Sequence, residues 1–240
     1  MNARTEADGL AAALRAKANP ARAAQEKRYL KSDLEHLGVG VPALRSVGKT
    51  FVREHGDATR AEVLGVVRSL WSHPVHELRT LAVELLIFYG QILEAEDVDL
   101  VERLIRESKT WALVDTLAVN VTGELVERFP ALVNTLDRWA SDDDFWVRRS
   151  ATLALLKPLR RGGGDFDRFA RYADAMLDER EFFIRKAIGW ILREVSKKRP
   201  DLVYDWLLPR AVRASGVTVR EAVKYLPADQ RTAIESARRR

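Results

Sequence analysis

Cysteine is absent from the 240 residues, which removes disulfides and thiolate metal sites and implies no redox compartment. Histidine occurs only four times. His73 and His76 flank Pro74 at a turn, and their His-x-x-His spacing comes with no carboxylate or cysteine cluster, so neither a metal site nor a cofactor is expected. No apolar run at the N-terminus resembles a signal peptide and none approaches a membrane span, so a cytoplasmic location is expected. Alternating period-two stretches that would read as strands are also missing. Net charge is +5, from 40 basic and 35 acidic residues. That bias is compatible with a polyanionic partner but modest for the length, so clustering says more than the total.

What is present is helical periodicity throughout. Apolar residues make up 47% of the chain, ample for a continuous core. Residues 3–17 and 20–36 read as an opening pair, with Pro20 at an early helical position, and Pro42 starts the next helix toward Gly56. Further helices are expected at 58–72, 74–89, 96–108, 111–128, 130–140, 145–160, 165–178, 181–198, 201–214, 218–226 and 228–237. Pro74, Gly90 and Pro130 punctuate them, and Arg161-Gly162-Gly163-Gly164 is a flexible loop. Asp142-Asp143-Asp144 puts carboxylates at the positive end of the helix that follows. Arg238-Arg239-Arg240 reads as a solvated end. The expectation is an all-α chain in a single domain over 1–240, with an N-terminal helix to about 19, repeats over 20–227, and a C-terminal helix and tail over 228–240.

The helices repeat. Leu78-Arg79-Thr80-Leu81-Ala82, Val147-Arg148-Arg149-Ser150-Ala151 and Ile184-Arg185-Lys186-Ala187-Ile188 each open a helix after a short acidic or proline turn. The steps from Arg79 to Trp111, Trp111 to Arg148 and Arg148 to Arg185 are 32, 37 and 37 residues. That is the scale of a helix-pair solenoid of HEAT-like repeats, curved, with second helices lining a concave face.

Three constellations fall on those second helices or near the N-terminus. Trp111 and Asp115 stand four apart at the start of one helix, on one face, with Lys109 just upstream. On the pair alone, the favoured reading is Trp111 as core and Asp115 as a first-turn carboxylate complementing the helix dipole. Lys186, Trp190, Arg193 and Lys197 step by 4, 3 and 4, an aromatic within a stripe of cations, and Trp146 and Arg149 are three apart on the neighbouring repeat. Lys27-Arg28-Tyr29-Leu30-Lys31 sets another aromatic among cations, and Arg45 follows in the next helix. Cations neutralise phosphates and flat rings stack on bases or sugars, so the pattern points to nucleic acid.

Ser108-Lys109-Thr110-Trp111-Ala112-Leu113-Val114-Asp115 and Phe182-Phe183-Ile184-Arg185-Lys186-Ala187-Ile188-Gly189-Trp190-Ile191-Leu192-Arg193-Glu194 resemble segments of the AlkD-type DNA alkylation-repair glycosylases. Asp144-Phe145-Trp146-Val147-Arg148-Arg149 and Arg28-Tyr29-Leu30-Lys31 extend the resemblance over about 20–227. It implies a HEAT-like solenoid that excises N3- and N7-alkylated purines from duplex DNA. No cofactor is expected, and with no interface pattern beyond the solenoid faces a monomer is the default. Carried over by position, the resemblance implies catalytic roles for Trp111, Asp115 and Trp190. It implies DNA contacts at Arg149 and at Tyr29, the lesion-side aromatic. Arg148, Lys186, Arg193, Lys197, Lys31 and Arg45 are further candidate DNA contacts.

Two rivals stand beside that reading. A non-catalytic HEAT-like scaffold binding DNA or protein has no need for Trp111, Asp115, Arg149 and Trp190 together. A helix-hairpin-helix glycosylase matches only Leu37-Gly38-Val39-Gly40, a turn explained by helix termination before Pro42, with no Gly-Pro-Asp segment after it.

Overall fold

The computed structural model describes residues 1–239; Arg240, the end of the basic tail read from the sequence, lies outside the described residues. In chain order the helices are α1 (Ala3–Arg15), α2 (Pro20–Leu30), α3 (Val41–Glu54), α4 (Arg60–Trp71), α5 (His76–Phe88), α6 (Val98–Ser108), α7 (Trp111–Thr116) and α8 (Gly123–Arg128). There follow α9 (Val133–Trp139), α10 (Phe145–Leu153), α11 (Leu156–Arg160), α12 (Phe166–Ala175), α13 (Phe182–Ser196), α14 (Pro200–Leu207), α15 (Gly216–Ala222) and α16 (Ala228–Ala237). Among the described residues no strand forms; a single bridge joins Glu35 to Val75. No helix is long and apolar enough to cross a membrane. The fold is that of an all-α helical-repeat protein.

Local chemistry sets the helix starts. Asn2, Asn19, Asp144, Asp165, Glu181 and Ser215 accept backbone N–H groups of the first turns of their helices, and Thr59 with Glu62 forms a reciprocal capping box on α4. Each such cap stabilises its helix by about 1 kcal/mol. Pro158 explains why the expected 145–160 helix breaks into α10 and α11: it lacks an N–H and its ring clashes with the carbonyl four residues back. Pro209 ends the expected 201–214 helix in a 3₁₀ turn at Leu208–Arg210 for the same reason. The expected 20–36 helix stops at Leu30, with Lys31 left-handed at φ 49°. Residues 31–40 instead fold back on α2, where Asn19 donates to the Leu37 carbonyl at 2.8 Å. Gly38 permits this at φ 74°, since a Cβ there would sit 2.2 Å from the Asn19 carbonyl oxygen. The expected 111–128 helix is interrupted by a π-helical stretch at Leu117–Thr122.

The described residues group into two compact units, 1–125 and 126–239. In the first, α4 packs on α1 and α5, and α3 on α5. Its core includes Leu14, Leu44, Leu70, Leu78, Leu81 and Leu85. In the second, α13 packs against α10, α11, α14 and α15 over Trp139, Phe169, Ile191, Leu192 and Leu207.

The repeat arginines have a shared task. Arg79 donates to the His73 carbonyl, Arg148 to that of Asp142 and Arg185 to that of Glu179, each six residues back across the preceding turn, at 3.3, 2.6 and 2.6 Å. Ion pairs then link one repeat to the next. Arg60 grips Asp97 at 2.7 and 2.8 Å, Arg148 grips Glu179 at 2.7 and 3.0 Å, and Arg210 grips Asp174 at 2.6 and 2.8 Å. These pairs lie 37, 31 and 36 residues apart, the repeat length seen in the sequence.

Candidate functional site

In the first unit, α7 starts from Thr110 with extended backbone, after Lys109 closes α6 in the left-handed region at φ 49°. Lys109 thereby breaks two helices apart and Trp111 begins the second. Leu113, Val114, Leu117 and Val121 are buried, which turns Trp111 and Asp115 to the half-buried side of the helix. The Trp111 ring meets Tyr29 edge-on, with centroids 5.9 Å apart and planes at 87°. Tyr29 itself is 73% exposed, on a helix with no buried residue. A cleft of about 230 Å³ opens beside the two rings, lined also by Glu26, His76, Glu77 and Thr80. The π-helical turn just past Asp115 is an arrangement that recurs at functional sites.

Two other candidates in this unit differ. Lys31 is exposed at the end of α2. Arg45 is bound to Glu84 at 3.0 Å, with its own side chain half exposed and that of Glu84 buried.

The second unit holds the remaining candidates. On α10, Trp146 is buried and packed on Phe145 and Phe183, with centroids 4.5 and 4.8 Å away. It is a core residue, not the stacking surface expected from its spacing to Arg149. Arg149 is only 3% exposed, donates to the Phe183 carbonyl, and lies over the Phe183 ring at 5.9 Å. Arg148, expected as a DNA contact, is a strut. Its Nε and Nη2 bind the Glu179 carboxylate and its Nη1 reaches the Asp142 and Asp143 carbonyls. The signal was present in its repeat position, which it shares with Arg79 and Arg185.

Trp190 is half-buried on α13, on one stripe with Lys186 and Arg193. Next to it, Gly189 is required by packing: a Cβ would lie 2.8 Å from the Glu221 Cβ and 2.9 Å from the Thr218 carbonyl oxygen. This close approach sets Glu221 of α15 under the stripe. Lys186 and Lys224 bind its Oε1 at 2.7 and 3.0 Å, and Arg193 binds its Oε2. Burial pushes the Glu221 carboxyl up, but hydrogen bonds from Lys186 and Lys224 and the nearby charges outweigh it, holding it at about 2. Lys197 and Arg160 bind Glu194 at 3.0 and 3.1 Å, and the Lys197 ammonium lies 4.9 Å from the exposed Tyr225 ring. Lys186, Arg193, Lys197, Lys224 and Arg160 thus share Glu221 and Glu194, leaving this set a net charge of +3. Neither Glu221 nor Tyr225 was singled out from the sequence; both lie beyond the α13 motif and carry no local periodic signal.

A third group was also missed. Glu26, His36 and Glu77 place one ligand atom each within 4.8 Å of one another, a set that could hold a cation. The His36 and His76 rings stack at 4.7 Å, and burial, with His36 adding to it, holds the His76 imidazole down at about 4. The sequence reading considered His73 with His76, whereas the fold pairs His76 with His36.

Comparison with known proteins now adds to this geometry. The profile of a family described as DNA alkylation repair enzyme matches residues 10–226. The chain belongs to the DNA alkylation repair enzyme family. Among solved structures, a predicted DNA alkylation repair enzyme from Enterococcus faecalis superposes with a TM-score of 0.80 at 23% identity, covering 88% of this chain and 98% of that one. AlkD2 from Streptococcus mutans gives 0.63 at 18% identity over 85% and 99%, and smu.31 from Streptococcus mutans UA159 gives 0.61 at 18% over 77% and 94%. A search of curated protein sequences returned no significant match. Membership of the DNA alkylation repair enzyme family gives the protein a role in the repair of alkylated DNA.

Proposed function

We propose that the protein is a DNA glycosylase that hydrolyses the N-glycosidic bond of cationic N3- and N7-alkylated purines, 3-methyladenine and 7-methylguanine among them, in duplex DNA. The observation that carries this reading is the Trp111–Asp115 pair, one helical turn apart and half-buried, with Tyr29 against the Trp111 ring. An alkylated N3 or N7 already carries positive charge, so the base departs neutral and needs no general acid. The chemistry that remains is stabilisation of positive charge on the sugar as the bond breaks. Asp115 supplies the carboxylate for that charge and orients the attacking water, as carboxylates do in glycoside hydrolysis. Trp111 and Trp190 present π faces to the cationic nucleotide, each contact worth about 1–2 kcal/mol when desolvated.

Phosphate contacts fall to Lys186, Arg193, Lys197, Lys31 and Arg45, and Arg149 is a further proposed DNA contact. The net charge of +3 on the α13–α15 cluster supports this assignment. Arg148 is not proposed as a contact. The protein acts in base excision repair, in the cytoplasm and as a monomer, with no cofactor taking part in the bond cleavage.

The test is release of free base from duplex DNA carrying 7-methylguanine, run beside undamaged duplex. Release from the damaged strand alone is expected. Binding of both duplexes without release would make the protein a non-catalytic scaffold. Uncharged 1,N6-ethenoadenine should remain in place, because it lacks the built-in leaving-group charge.

A further inference from the structure

The Glu77 side chain is buried to all but 2% of its surface, yet among the described residues no lysine or arginine pairs with it. Its carboxylate accepts backbone N–H groups of Leu37, Gly38 and Val39, at 2.9, 2.5 and 3.2 Å. Buried charges are as a rule either paired or bound to a metal, because desolvation alone costs several kcal/mol. Facing it is His36, whose Nδ1 and Nε2 are both buried and both without a hydrogen-bond partner. An imidazole always carries a donor or an acceptor on each nitrogen, so two unmet nitrogens require an explanation. Glu26 completes the group from α2, held on its other side by Arg22 at 2.7 Å.

We infer that Glu26, His36 and Glu77 form a binding site for one divalent transition-metal cation, with zinc the best fit to one imidazole and two carboxylates. The two carboxylates balance the ion's charge, and water fills the remaining position. Ligand atoms about a tetrahedral zinc stand about 3.3 Å apart, given bonds of about 2.0–2.2 Å. The present spread of up to 4.8 Å closes by side-chain rotation of His36 and Glu26, both only half-buried. His76 is not a ligand. A metal lies in the plane of the ring it binds, and the His36 and His76 planes run nearly parallel, 12° apart, with centroids 4.7 Å from one another.

The ion's task is mechanical. Helix α2 carries Tyr29 but has no buried residue of its own, and its first turn is held by the 31–40 segment through Asn19 and Gly38. A cation joining Glu26 to His36 and Glu77 fastens the second turn of α2 to that segment and to α5. Glu26 and Glu77 border the cleft beside Tyr29 and Trp111 without including Asp115, and zinc binding is read out by calorimetry and exchange, separately from base release.

The test uses the full chain without an affinity tag, stripped with chelator and titrated with zinc alone by calorimetry. One zinc per chain is expected, and at a hundredfold excess over Kd the melting temperature should rise by roughly 5 °C or more. His36→Ala and Glu26→Gln should each weaken binding about tenfold or more, since even outer-sphere partners of a metal contribute that much. His73→Ala should bind as the parent does. Glu26→Gln lies on a surface helix and keeps the experiment decisive if His36→Ala does not fold. Amide exchange over residues 20–30 should slow on zinc addition in the parent and not in Glu26→Gln. Failure of the parent to bind zinc would overturn the inference, as would unchanged affinity in Glu26→Gln or exchange over 20–30 that ignores the metal.

Discussion

In the first unit Tyr29 stands exposed against the edge of Trp111, on a helix that buries nothing, while in the second Trp146 and Arg149 are buried and the α13 cations rest on Glu221 and Glu194. One region offers aromatic surface with little packing behind it; the other offers cations fixed in advance by carboxylates. The contrast separates two jobs that a sequence motif runs together. A cation held by a carboxylate keeps its position without water, and phosphate then competes with that carboxylate for it. An exposed ring is held by nothing comparable. The first region, which holds the Asp115 carboxylate, is therefore expected to weigh more on chemistry, and the second more on stability and duplex affinity.

The sharpest way to break that division is Asp115→Asn, which keeps shape and removes charge. Excision of 7-methylguanine should fall by roughly two to three orders of magnitude in single-turnover kinetics, with duplex affinity nearly unchanged. A full excision rate would return Asp115 to a structural role.

Acid should then act on the second region. Glu221 is depressed from 4.5 to about 2 by its hydrogen bonds and cations against the opposing effect of burial, so its contribution is complete above pH 4.5 and is lost as pH falls through 2. In urea titrations the parent should lose about 2–3 kcal/mol more stability than Glu221→Gln between pH 5 and pH 2. Equal losses in the two proteins would mean that Glu221 is not the brace under α13.

Two glycines carry the comparison further. Gly189→Ala forces a methyl group against α15 and should cost about 1–3 kcal/mol by urea denaturation. Gly9→Ala, on α1 with nothing within 4 Å, should instead gain about 0.5–1 kcal/mol. The smallest effect belongs to Arg193→Ala. It should weaken damaged and undamaged duplex alike and lower the log–log salt slope by about one. Loss confined to damaged DNA would make Arg193 a reader of the lesion.

Much of this was legible from residues alone where the signal is local. The step between Arg79, Arg148 and Arg185 announced the repeat, and the structure gives it a cause in the bond each makes to the carbonyl six residues back. That same recurrence explains why Arg148 is structural, although its motif position suggested DNA. Trp146 misled for a different reason: α10 is covered on both sides, by α9 and α13, so an aromatic–cation spacing there reports core as readily as surface. Glu221 with Lys186 and Glu77 with Leu37 pair across 35 and 40 residues, and no helical period reaches so far.

The π-helical turn at Leu117–Thr122 has a geometric consequence for the residues before it. A wide turn holds one residue more than an α-turn, so it acts as a phase shifter between Trp111 and the buried Leu125. Removing a single residue there, such as the half-exposed Asn120, would let the segment relax into an unbroken α-helix while leaving composition and charge almost as they were. Everything upstream would then rotate by about 100° about the helix axis. Trp111 and Asp115 would keep their spacing to each other and lose their heading, with the Trp111 ring turned off Tyr29. The angular setting of the pair is thus encoded one turn downstream, in the number of residues that turn holds.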